Sequence, residues 1–526
     1  MRMRGRRHRT LAALSVLLLA AAASALPLQP ATADAPALDV ARIDSYLSEQ
    51  VHRHRIPGLA VGVVEGSEVI HLRGYGQADE DGRAVTPQTP FVLASTSKPV
   101  TALAVMQLVE QGKVRLDAPV HRYLPTFGFR DAAASARITV RQLFHHTSGM
   151  PSTACDTRSG ATTLEQYVAE LRAVDLATPP GTRYNYCSGN YNVLGRILEV
   201  VSGDTFGAYV QQHVYAPLAM HHSHTSEQPA VSDGLAQGYQ WFFGARVPTH
   251  HEYNASQLPS GYLISSAEDL SHFLIAELNG GRYGARQVLS PDGMAALQAP
   301  GVDTGGGTTY GLGWMIGSLA GVPAVHHSGV NYEYHSLLVL EPRSGRGLVL
   351  LMNSFGIVAS ASGYRELEDG LVRLVAGEDP PASPGPSVGA VYVVVDLILA
   401  ALLALALWPL LRLRHWRRSA DQRWHQHGRR RRWRLALRPL GEVVLALTLL
   451  GGARLVLNRM GAQSWGEGLA LFPDLGIWLW ALALALLLSG ALRLWLLARL
   501  QQTAPGSVGS NRARDGDRPA PTASSS

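Results

Sequence analysis

The chain has 526 residues, with 46 Lys plus Arg against 40 Asp plus Glu and a net charge of +6. The basicity sits at the ends: residues 1–9 hold five Arg and residues 385–526 hold 18 Arg against seven acids, which leaves residues 10–384 at −10. That distribution excludes a basic nucleic-acid footprint on the body of the chain, and no nucleic-acid partner is expected.

The first residues, MRMRGRRHRT followed by LAALSVLLLAAAASA, join a basic run, an apolar run and small residues at Ala23 and Ala25. This is the pattern of a secretory signal peptide, expected over residues 1–33. The apolar run is shorter than the ~20 residues an uncleaved anchor would need. Residues 34–378 follow as an exported domain, long enough for one large core or two interleaved ones. Its first segment, DVARIDSYLSEQVHRHR, places Val40, Ile43, Leu47 and Val51 at helical spacing. LAVGVVEGSEVIHLRGYGQAD then reads as two β-rich runs broken at Glu65, Gly66 and Ser67, which predicts a hairpin.

In FVLASTSKPV, residues 91–100, an extended run gives way to a helical pattern at Ser95, with Pro99 in the first turn. A helix start favours developing negative charge, and Lys98, one turn on, shares a face with Ser95. The chain uses Lys only at positions 98 and 113 and Arg for every other cation. An ammonium in a desolvated pocket can lose its proton and activate a hydroxyl, whereas a guanidinium effectively cannot. Ser-x-x-Lys recurs by chance, so the weight falls on two further boxes downstream of it.

TALAVMQLVEQG, TLEQYVAELRAV, NVLGRILEVVSG and AEDLSHFLIAELNGG carry helical periodicity and finish near Gly, which predicts a mainly helical block inserted between sheet-forming ends. Within it PPGTRYNYCSGNYNVLG places Tyr186 on a turn before a helix; a phenol whose pKa is lowered beside a Lys can take a serine proton and return it to a leaving group. Tyr184, Tyr186 and Tyr191 also make sense as a plain aromatic patch. The two cysteines, Cys155 and Cys187, both fall in the exported part, where they can oxidise. Further on, AVHHSGVNYEYHS sets His327, Ser328 and Gly329 at a strand end, where a substrate can lie alongside and a backbone N–H just past the Gly can face an oxyanion. AVHHSG, HSLLVLEP and RGLVLLMNS read as three strands, and GYRELEDGLVRLVAG as an amphipathic closing helix. The expected fold class is α+β, an antiparallel sheet flanked by helices with an inserted helical subdomain.

Beyond a Pro-rich hinge at 379–387, VGAVYVVVDLILAALLALALWPLL is long enough to span a bilayer, and two more candidates lie around residues 440–457 and 475–497. A three-helix transmembrane region is expected over 388–499, with a polar, disordered tail over 500–526. The connection 412–438 holds 11 Arg and one Asp, which assigns it to the cytoplasm and the preceding domain to the outside of a multi-pass cell-membrane protein. Asp396 and Glu442 lie inside the spans.

The three boxes in this order, with ITVRQLFHHTSGM, PPGTRYNYCSGNYNVLG, YAPLAM, PSGYLISSAEDLSHF and YGLGW, resemble the serine β-lactamase and penicillin-binding-protein superfamily. The branch is that of class C β-lactamases, DD-peptidases, D-aminopeptidases and related esterases. The resemblance implies a β-lactamase/transpeptidase-like fold with Ser95 as acylated nucleophile, Lys98 as base or proton relay and Tyr186 as general base and acid. Ser188, His327, Ser328, Gly329 and Val330 would bind substrate, with the N–H groups of Ser95 and Val330 as oxyanion hole. No cofactor and no metal are implied. Two departures matter: Ser188 stands where the family has Asn, and His327 where β-lactamases have Lys, a pattern similar to that of DD-peptidases and D-aminopeptidases. If His327 serves as a cation, activity on acidic substrates should fall above about pH 6.5.

The resemblance, together with the expected spans and Arg-rich connection, thus implies a membrane-anchored, extracytoplasmic serine hydrolase, first a peptidase or amidase on D-amino-acid cell-wall peptides, next a carboxylesterase or β-lactamase. Two other classes are weighed. A metal enzyme is prompted by His221, His222 and His224 but lacks a ligand signature, and a non-catalytic sensor of cell-wall peptide or antibiotic would bind at Ser95 without turnover.

Overall fold

The structure, a computed structural model, describes residues 37–503 except 152–153, 156–160, 251, 383, 427–431, 460–464 and 472. The expected signal peptide and most of the expected polar tail lie outside the described residues. The chain divides into two compact units, one built from the residues up to Ile398 with Arg454–Ile477, the other from Leu399–Ala453 with the residues from Trp478 onward.

In the first unit α1 (Val40–Arg53) is capped by the Asp39 side chain and buries Ile43 and Leu47. The hairpin forms as β1 (Gly58–Glu65) and β2 (Glu68–Gly76). After α2 (Ser97–Glu110), α3 (Gly189–Ser202) and α4 (Ala267–Leu278), six strands complete the sheet. They are β3 (Val302–Gly305), β4 (Thr308–Tyr310), β5 (Met315–Leu319), β6 (Val322–Val330), β7 (His335–Glu341) and β8 (Arg346–Met352). The order is β2-β1-β8-β7-β6-β5-β4-β3, antiparallel throughout. The two ends of the domain thus meet where β1 pairs with β8, Leu59 opposite Met352.

Every residue of β7 and β8 is buried, because both sheet faces are covered. On one face Ile43 and Leu47 of α1 pack with Leu367 and Leu371 of α5 (Arg365–Val375) and with the outward residues Val61, Leu337 and Leu350. On the other, Ala60, Leu338, Val349 and Leu351 join α4 and the helical subdomain in one continuous core. AEDLSHFLIAELNGG, expected in the inserted block, therefore belongs to the sheet layer instead: α4 lies on β1 and β8, burying Leu270, Phe273 and Leu274. A small second sheet of Gly238–Phe242, Ala245–Thr249 and Ser354–Phe355 has no counterpart in the sequence reading. Cys155 and Cys187 are joined as a disulfide across a separation of 32 residues.

Among the described residues three helices are long and apolar enough to cross a membrane, Val388–Leu411, Arg434–Asn458 and Pro473–Leu500. The Arg-rich connection, expected as a loop, is helical over Leu413–Gln426, because Ala420 and Trp424 recur at helical spacing and bury with Leu497. In this second unit Glu442 accepts from Ser489 Oγ at 2.7 Å and from Arg493 at 3.0 Å, so the acid between the apolar runs is paired.

Candidate active site

Ser95 stands in a tight turn, Ala94–Thr96, that leads directly into α2. Ala94 has φ +49°, a left-handed conformation unfavourable for a residue with a Cβ and held here by its surroundings. α2 is buried from Ser97 to Leu108, so it is apolar all round and central. Lys98 on its first turn is fully buried. Its Nζ lies 2.9 Å from Ser95 Oγ, 2.7 Å from the Ser260 carbonyl and 3.3 Å from Ser188 Oγ. The carbonyl must accept an N–H, whereas the two hydroxyls can give or take a proton, so the same cage suits the ammonium and the free amine.

Tyr186 sits three residues ahead of α3, which starts at Gly189 with Ser188 in the capping position. Its ring centroid is 5.0 Å from Lys98 Nζ, and its phenol hydrogen-bonds Ser95. Tyr186 as a residue is 37% exposed, yet the hydroxyl, which is the part that titrates, is packed among protein atoms. Burial pushes the phenol above the ordinary tyrosine value, and the Ser95 bond pulls it back only in part. The lowered phenol expected from the sequence is therefore corrected: Tyr186 is neutral in the resting site, because desolvation outweighs that hydrogen bond.

β6 carries His327, Ser328, Gly329 and Val330 past the Ser95 turn. A Cβ on Gly329 would fall 2.4 Å from the Leu93 carbonyl and 2.9 Å from Ser95 N, so only glycine lets the strand lie this close. Ser328 and Val330 are exposed beside it. His327 is buried, with Nδ1 2.7 Å from the Ser328 carbonyl and Nε2 3.0 Å from the Tyr310 hydroxyl. The carbonyl can only accept, so Nδ1 carries the proton and Nε2 takes the Tyr310 hydrogen. Burial first and the Lys98 charge second push His327 down to about 3. The conditional reading of His327 as a cation is thus set aside, since burial and the Lys98 charge favour the neutral ring.

All eight residues singled out in the sequence therefore line one region around Ser95. Tyr310, Ser260 and His146 also line it and were missed as site residues. Each falls within a segment that matched the family (YGLGW, PSGYLISS, HHTSGM), but none is a nucleophile or base at a recognisable spacing. A cavity of about 560 Å³ lined by Arg141, His145, Arg183, Tyr184, Val302 and Asp303 lies beside this constellation, and neither Ser95 nor Lys98 faces it. Among the described residues no group of three or more His, Cys, Asp or Glu is placed to hold a metal.

A family model described as Beta-lactamase matches residues 43–370. Penicillin-binding protein 4 of Amycolatopsis lactamdurans is 31% identical over 366 residues, covering 66% of this chain and 93% of that protein. Protein flp of Staphylococcus aureus (strain MW2) is 28% identical over 319 residues; the match takes in 59% of this chain and only 62% of the flp length. Among solved structures, the octameric penicillin-binding protein homologue from Pyrococcus abyssi aligns with a TM-score of 0.57 at 27% identity, over 65% of this chain and 78% of that one.

Proposed function

The chain belongs to the beta-lactamase family of serine hydrolase folds, and from that premise we propose that it hydrolyses an amide through an acyl-enzyme on Ser95. The substrate class is D-amino-acid peptides of the cell wall. The observation that carries this reading is the buried Lys98 amine 2.9 Å from Ser95 Oγ. As Ser95 oxygen attacks the carbonyl carbon, its proton passes to the Lys98 amine. The oxyanion that forms is held by the N–H groups of Ser95 and Val330. Tyr186, being a neutral phenol, gives its proton to the departing amine and is refilled from Lys98. Water then enters by the reverse path and frees Ser95. A neutral His327 on the substrate strand disfavours a β-lactamase role, since it offers no fixed cation for a carboxylate.

One feature favours carboxylesterase activity as the second reading. Ser188 Oγ reaches Lys98 at 3.3 Å but lacks the longer amide that would touch a substrate amide, a loss an ester tolerates better. For placement, the Arg-rich connection after the first span supports a cytoplasmic loop, hence a catalytic domain outside, where a Cys155–Cys187 disulfide persists.

The test is intact-mass spectrometry of the full-length protein in detergent after a penicillin and, separately, an activated ester, with Ser95→Ala as control. A stable penicillin adduct at Ser95 supports the peptidase. Turnover of the ester with no penicillin adduct moves the esterase to first place. Reaction of neither at Ser95 would sink both and leave a binding module.

A further inference from the structure

His146 takes no part in the chemistry above, yet both backbone amides that flank Tyr186 end on it. The Asn185 N–H donates to the His146 carbonyl at 2.8 Å, and the Cys187 N–H donates to His146 Nδ1 at 3.2 Å. The ring itself lies against the Tyr186 ring, centroids 4.4 Å apart and tilted by 33°, with Tyr310 across its edge at 4.7 Å. One residue therefore fixes the turn on either side of Tyr186 and the face of its ring.

The protonation state follows from the partners. A backbone N–H can only donate, so Nδ1 is unprotonated. The Asn190 amide nitrogen, 3.2 Å away, donates to the same atom, since Asn190 Oδ1 is taken by the Ser148 hydroxyl at 2.6 Å. The single ring proton is thus on Nε2, a buried atom with no hydrogen-bond partner among the described residues. The backbone of His146 adds a second unfavourable feature, φ +54°, although the residue is only 1% exposed. Two such features on one buried residue persist where the surroundings over-determine them, and they concentrate at functional sites. A second proton on Nδ1 would break the Cys187 bond and set a like charge near Lys98; burial first and then that charge hold the ring far below the ordinary histidine value.

We infer that His146 is the positioning residue for Tyr186: through its carbonyl and its Nδ1 it holds the phenol at Ser95, and it does so only as the neutral tautomer with the proton on Nε2. The inference rests on the proposed acyl transfer, because it assigns His146 a part in that step.

Three variants of the full-length protein separate this from plain packing, read by kcat and KM for a D-amino-acid amide, whose departing amine takes the Tyr186 proton, and by thermal unfolding. His146→Ala removes the acceptor and the ring. His146→Gly also removes the backbone penalty. His146→Asn keeps an acceptor two bonds from Cβ, as Nδ1 is in His, and is a residue that tolerates positive φ. The expected result is a fall in kcat of about 100-fold for Ala and Gly with KM nearly unchanged, and recovery to within about 10-fold of wild type for Asn, since displacing a proton-transfer group costs on that order. Recovery should appear even if Asn unfolds at the same temperature as Ala. Overturning results are an Asn variant no faster than Ala, or losses that simply follow the unfolding temperature. If all three fail to fold, the role is structural and the inference falls. A wild type that takes no acyl group removes the proposed function itself, whereas an active wild type with an unrescued Asn variant removes only the assignment to His146.

Discussion

Replacing Gly329 by Ala tests whether β6 and the nucleophile turn form one oxyanion site. The added Cβ would stand 2.4 Å from the Leu93 carbonyl oxygen, 2.3 Å from Ser336 Oγ and 2.9 Å from Ser95 N, where ordinary contacts lie at 3.4–4 Å. Ser336 could turn away at the loss of its bonds to Leu93 and Thr96, but a backbone carbonyl cannot. The strand must therefore withdraw by about 1 Å, and a displacement of that size typically costs about 100-fold in rate. If it takes the Val330 N–H out of reach, the loss is that of one oxyanion donor, roughly 10²–10³ in kcat or about 3–4 kcal/mol. The assay is the pre-steady-state acylation rate with an activated ester, followed by mass, with thermal unfolding alongside. Overpacking should also lower stability by about 1–3 kcal/mol. Gly370→Ala is the control: its Cβ would meet the Tyr46 hydroxyl at 2.0 Å within the α1–α5 layer, on the sheet face away from Ser95. It should lower stability and leave acylation by folded molecules within about 3-fold. The reasoning is refuted if Gly329→Ala acylates within about 3-fold of wild type, or loses rate only as much as Gly370→Ala.

Lys98→Met should fold, since Met fills a similar volume in a buried site, and should lose roughly 10²–10⁴ in acylation rate; a smaller loss would mean another base serves Ser95. Opening the disulfide with Cys187→Ser should lower stability by about 3–4 kcal/mol for a loop of this length, measured by chemical unfolding with and without reductant, and equal midpoints would show that the bond is not formed. Histidines buried neutral set the acid limb of stability. Desolvation pushes His54, His145 and His326 down to about 4 and His327 to about 3, so below an unfolded value near 6.5 the unfolded chain binds more protons and stability falls with pH. Glu277, pushed up to about 8 by burial, acts in the opposite sense, favouring the fold as pH falls from about 8 towards 4.5, but it stands against four histidines. The melting temperature should therefore drop from about pH 6.5 to 4, less steeply in His326→Gln, and a flat profile would contradict these burials. Activity should show no His327 limb between about pH 5.5 and 8; a fall above pH 6.5 that disappears in His327→Gln would restore the cationic reading.

What could be read in the sequence was what one residue does alone or what recurs with a period. The α1 stripe, the β1–β2 hairpin and the runs of β6 to β8 are local patterns, and the Ser95 and Lys98 pair is one helical turn. Placements set by distant partners were not legible. α4 looks like its helical neighbours in sequence, but it lies on β1 and β8, about two hundred residues away on one side and about seventy on the other. The state of Tyr186 escapes the sequence for the same reason, because the sequence shows the Lys beside it and not the atoms that desolvate it. His327 and His146 were opaque as proton carriers until the Ser328 carbonyl and the Cys187 N–H fixed which nitrogen holds hydrogen. The clearest signal was compositional: a chain that uses Arg for nearly every cation keeps one Lys fully buried against a serine. A guanidinium there would remain charged and could accept nothing, so the exchange of one basic residue for another marks the point where the fold requires a proton to move.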